Sequence, residues 1–127
     1  MRSARWLALG AAFALYLSAA PAAQADCNLR THQHVVLYSS TEDPDVLLWD
    51  SRFRLRAYHA ATFDEAQELV RHARLAPGGT HAVVESCVPD FVDSPLFERP
   101  ADAVGVLIVS GKYSGQRGWV LGPDVRP

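Results

Sequence analysis

With 127 residues, 49% of them apolar, and a formal charge of −2, the chain has material for one globular domain and not for two. That charge balance offers no basic face of the kind nucleic acid requires.

Arg2 and Arg5 give a positive start, Trp6 to Leu17 is an uncharged and mostly apolar run, and Ala23-Gln24-Ala25 is a small-x-small triplet. This is the layout of a secretory signal peptide cleaved after Ala25, too short and wrongly flanked for a membrane span. Residues 1–25 are therefore assigned to the leader and 26–127 to a single exported β-rich domain, periplasmic or secreted. The domain keeps ten basic and all 14 acidic residues. Asp26 stands where a lipoprotein signal carries a small residue before the cysteine, so export is expected to be soluble.

Both cysteines, Cys27 and Cys87, lie in the exported part, where an even pair in an oxidising compartment predicts a disulfide. Closing a loop of about 60 residues would stabilise the fold by roughly 4 kcal/mol on the chain-entropy model and tie down the new N-terminus.

His34 to Tyr38 (HVVLY) reads as a strand by length and β-branched content. Ser39 to Asp45 is a polar, acidic loop broken by Pro44, and Val46 to Trp49 is apolar again. Arg52 to Tyr58 (RFRLRAY) alternates, which predicts a half-buried strand with Arg52, Arg54 and Arg56 on its wet side. A turn at Asp50-Ser51 would pair it with Val46–Trp49 as a hairpin. Thr62, with Glu65 three residues on, forms a capping-box signature for the one expected helix, about 62–76. Phe63, Ala66, Leu69, Val70 and Ala73 would be its buried stripe, and Pro77-Gly78-Gly79 its stop. Thr80 to Val88 is a further strand. Residues 89–102 form a long loop packing Phe91 or Phe97 over the core, Ala103 to Val109 is a central strand, and Arg117 to Leu121 is a last short one. The expected class is mostly β, of α+β type.

Gly115-Gln116-Arg117-Gly118-Trp119-Val120, with Asp124-Val125 after a turn, resembles the closing strands of bacterial Src-homology-3-like barrels. Val36-Leu37-Tyr38, the acidic loop, Leu47-Leu48-Trp49 and Arg54-Leu55-Arg56 resemble the opening strand, first loop and second strand of that family. The resemblance covers about half of the exported chain and implies a small barrel, here carrying an inserted helix and a long loop. The stretch from Thr62 to Val84 is also similar to the helix-then-strand half of a sporulation-related repeat, a peptidoglycan-binding module, without its second half.

In such barrels Tyr38, Trp49, Tyr113, Trp119 and Pro123 could line an aromatic groove for an extended peptide or wall fragment, although Trp49 and Trp119 equally suit the barrel ends. Arg52, Arg54 and Arg56 could meet an anionic partner, or be neutralised internally by Glu42, Asp43, Asp45 and Asp50. No metal is assigned. His32 and His34 are candidates that would need a third ligand from His59, His81, an acid or a thiolate. Ser86 lacks a nucleophile-elbow pattern, no glycine loop suits a phosphate, and no cofactor is implied. The expected function is a non-catalytic binding module for peptidoglycan or an envelope protein. The alternatives are a secreted inhibitor that presents residues 89–102 to a partner protein, and a small metal-binding envelope protein or enzyme.

Overall fold

A computed structural model describes residues 27–127, so the leader assignment lies outside the described residues. Seven antiparallel strands make one sheet in the order β3-β2-β6-β5-β4-β1-β7. The strands are β1 (His34–Leu37), β2 (Asp45–Trp49), β3 (Ala73–Pro77), β4 (Thr80–Val92), β5 (Ala101–Ile108), β6 (Arg117–Leu121) and β7 (Val125–Arg126). Helices α1 (Arg52–Ala60) and α2 (Phe63–Leu69) lie between β2 and β3, with a 3-10 turn at Val70–His72 and another at Gly122–Asp124. The mostly β, α+β class holds, and the apolar run around Val104 occupies the middle of the sheet as β5.

The connectivity requires the sheet to curl. Only Gly78 and Gly79 separate β3, at one edge, from β4, the fifth strand in the order. In a flat sheet those strands would be about 19 Å apart at 4.8 Å per strand, whereas the link spans at most about 11 Å. The sheet therefore bends into a half-barrel. Gly78 and Gly79 donate their backbone N–H groups to the carbonyls of Pro44 and Leu37, and Gly79 sits at φ 92, where a side chain would be strained.

Strand alternation divides the interior in two. Val35, Leu37, Val46, Leu48, Val104, Val106, Ile108 and Val120 pack together in one cluster. Trp49, Leu55, Val92, Ala103 and Leu121 form the other, where α1 meets the sheet. Because β5 contributes to both, Ala103 to Val106 are buried without a break.

Four expectations need correction. Arg52–Tyr58 is a helix, not a strand, and makes no hairpin with β2. The Ser51 hydroxyl caps it by accepting from the Phe53 N–H at 3.1 Å, Asp50 pairs with Arg54 one turn on, and Arg, Leu and Ala all favour helix. The apparent alternation was a helix with one buried residue, Leu55, and β2 pairs instead with β3 and, through Trp49–Trp119, with β6. The second helix has its capping box as expected, with Thr62 and Glu65 exchanging bonds of 2.9 and 3.4 Å, but it stops at Leu69. Ala73–Pro77 pairs along β2, so sheet pairing overrides helical periodicity there. The expected buried stripe does not form: Phe63 is 77% exposed, while Leu69 and Ala73 rest half-buried on the second cluster. Finally, the long loop is residues 93–100, because β4 continues to Val92 opposite Ala101.

The expected disulfide joins Cys27 to Cys87, Cα to Cα 6.4 Å, fastening the start of the described chain to β4. No helix among the described residues is long and apolar enough to cross a membrane.

Candidate functional site

The helical geometry of α1 places Arg52 and Arg56 one turn apart on the same face, while Arg54 turns away to Asp50. Below the two arginines lies Phe91, delivered by an irregularity in β4. The register against β5 shifts between Val88 and Val92, Asp90 adopts φ 50, and its N–H is held by the Asp102 carboxylate at 3.0 Å. Such a bulge bends a strand and re-aims its side chains.

Trp119, on β6, completes the floor. It lies across Gly105 of β5, where an added Cβ would stand 3.3 Å from the indole and 2.6 Å from the Ser86 hydroxyl. The missing side chain at Gly105 is what lets the indole lie there.

The result is a stacked platform. The Arg52 guanidinium carbon sits 5.1, 5.7 and 5.6 Å from the ring centres of Phe53, Phe91 and Trp119. That of Arg56 sits 4.2 Å from Phe91 and 5.5 Å from Phe53. Phe53 and Phe91 meet edge to face at 5.7 Å, and Phe53 remains 55% exposed. Each cation–ring contact is worth about 0.5–1 kcal/mol at the surface and more when desolvated.

Neither Arg52 nor Arg56 has an acidic partner among the described residues. Asp50 serves Arg54, Glu68 serves Arg71, and Glu85 holds Arg117 Nε with both oxygens at 2.9 and 3.0 Å. The Arg52 Nε is buried and makes no hydrogen bond. Two planar donors thus stand on an apolar floor with their charge uncompensated, an arrangement suited to bidentate contact with a carboxylate or phosphate.

The five aromatic-groove candidates do not converge. Trp49 is 0% exposed and packs on Tyr58 at 5.0 Å. Tyr38 lies over the Gly78-Gly79 turn. Tyr113 rests against the first core cluster with Lys112 Nζ 5.1 Å from its ring. Pro123 borders an open cleft shared with Phe97, Arg99 and Asp102. Of the five, Trp119 alone reaches the arginines, and Arg54 leaves the expected cationic stripe because 52–58 is helical.

His32 and His34 do not pair: His32 takes φ 71 and donates its backbone N–H to Val84, whereas His34 meets His81. Asp102 lies within reach of Cys27 and Cys87, but the disulfide occupies both sulfurs. His59, edge to face with Tyr58 and tilted against Phe97, is held below the ordinary imidazole range by burial, with Asp124 pulling the other way.

The sequence did not place Phe53 or Phe91 at a binding surface, Phe91 being expected only as one of two rings packed over the core. The signal for Phe53 was Ser51 followed by arginines four residues apart, a helix start that the alternation masked. Nothing local marks Phe91, whose position depends on a bulge.

Comparison with family models, with curated proteins and with solved structures returns no match to this chain.

Proposed function

We propose that this is a small exported, non-catalytic binding module that recognises an anionic component of the cell envelope, foremost the carboxylate-bearing peptides of the cell wall. The observation that carries the reading is the pair of acid-free guanidiniums, Arg52 and Arg56, stacked on Phe53, Phe91 and Trp119. Arginine and large aromatics are the residues that dominate binding energy at protein surfaces. The disulfide supports an oxidising compartment, and hence export.

The reading as a decorated Src-homology-3-like barrel is supported by the curled antiparallel sheet and by the order of the closing segments. Strand β6 carries Gly118-Trp119-Val120, the 3-10 turn Gly122–Asp124 follows, and β7 comes after it. Two helices and the 93–100 loop are additions to such a barrel.

Sedimentation with purified peptidoglycan sacculi tests the function. The protein pellets with sacculi and the Arg52→Ala/Arg56→Ala variant stays in the supernatant. Absence of pelleting by the unaltered protein overturns the wall reading.

A second reading, an inhibitor or interaction factor acting on a partner protein, has its own support. Leu96, on the 93–100 loop, is 91% exposed, the extreme among the large apolar side chains of the described residues. Co-purification of one envelope protein, lost on Leu96→Asp, would favour it.

A further inference from the structure

Strands β1 and β4 pair with Val36 opposite His81 and His34 opposite Val83, so His34 and His81 are diagonal neighbours on one face of the sheet. Their imidazoles meet with His34 Nε2 2.9 Å from His81 Nδ1 and ring centres 5.1 Å apart, and both side chains are exposed. The backbone beneath His81 is fixed on both sides: its N–H donates to the Ser110 hydroxyl at 2.8 Å, and its carbonyl accepts from the Val109 N–H at 2.9 Å. No other titratable group joins them in a metal-sized cluster among the described residues.

We propose that His34 and His81 form a surface two-imidazole site for a divalent late transition metal, copper(II) before zinc(II). With metal–nitrogen bonds of about 2.05 Å, two nitrogens 2.9 Å apart subtend about 90° at the ion. That is compatible with two cis positions of square-planar copper(II). Copper(II) also heads the affinity order for nitrogen ligands. On binding, the proton shared between the facing nitrogens moves to the outward nitrogen of its own ring. Rotation of the rings about their side-chain bonds then turns both lone pairs from each other toward the ion, and water fills its remaining positions. The paired strands fix the two backbones in register, so the reorientation is confined to the rings. His32, with its different backbone position, takes no part.

The test is titration of tag-free, disulfide-intact protein with copper(II) in a non-coordinating buffer, followed by electron paramagnetic resonance and by melting temperature. One copper per chain with imidazole nitrogen couplings is expected, together with a raised Tm. His34→Ala and His81→Ala each weaken binding by roughly tenfold or more, and His32→Ala leaves it unchanged. Copper binding undiminished from that of the unaltered protein in either the His34→Ala or the His81→Ala variant overturns the site, as does the absence of imidazole nitrogen coupling. A larger Tm rise with zinc(II) than with copper(II) overturns the choice of metal. Because Arg52 and Arg56 lie on other elements, pelleting with sacculi bears on neither outcome.

Discussion

The guanidinium of Arg56 lies 4.2 Å from the centre of the Phe91 ring, joining helix α1 to the bulged end of β4 across 35 positions of sequence. The contact orients a cation that no carboxylate among the described residues holds.

Arg56→Ala is therefore expected to remove anionic ligand binding while lowering stability by only about 1 kcal/mol, the scale of a surface cation–ring contact. Arg56→Lys keeps the charge but loses the planar fork, so it restores stability better than binding. Urea denaturation and sacculus pelleting of the two variants separate the effects.

The floor of the platform makes a different demand. A Cβ on Gly118 would stand 2.5 Å from the Leu48 side chain and 3.0 Å from the Trp49 carbonyl, both in the core. Gly118→Ala should destabilise by about 1–3 kcal/mol through overpacking. Gly105→Ala should instead force the Ser86 hydroxyl aside and push the Trp119 indole by a few tenths of an ångström, read as a shift in tryptophan emission with a small loss of ligand binding.

Much of this was legible before any fold was seen. Val35 and Leu37 in β1, the apolar run of β5, the Thr62–Glu65 box and the Cys27–Cys87 bridge all follow from local pattern or residue chemistry. Arg52–Tyr58 did not, because a two-residue and a four-residue repeat coincide in RFRLRAY and the alternation masks the Ser51 cap that favours the helix. The end of α2 was equally hidden, since Ala73–Pro77 becomes a strand only through pairing with β2, which lies well upstream in the chain, from Trp49 opposite Ala73 to Asp45 opposite Pro77. The recognition surface suffered most. It needs Phe91 from beyond a bulge and Trp119 over Gly105, neither of which has a local sequence signal.

Removing the bridge with Cys27→Ser/Cys87→Ser should lower stability by about 4 kcal/mol, since the loop closed spans 60 residues. Reductant should lower the Tm of the unaltered protein and leave that of the double variant in place.

His59 gives the fold an acid sensitivity. Burial against Tyr58 and Phe97 depresses its proton affinity below that of an unfolded imidazole, ordinarily near 6.5. The unfolded chain thus binds the proton first. Stability from neutral His59 is whole above about pH 6.5 and is lost as pH falls through the depressed value. His59→Gln should flatten the dependence of Tm on pH in that interval.

The side-chain Nε–H signals of arginine report most directly on whether Arg52 and Arg56 hold a ligand. In nitrogen-15 NMR, adding solubilised, carboxylate-bearing peptidoglycan fragments should shift the Arg52 and Arg56 signals saturably and leave Arg54, already bound to Asp50, in place. Unmoved Arg52 and Arg56 signals at saturating fragment, or equal shifts at all three arginines, would contradict it.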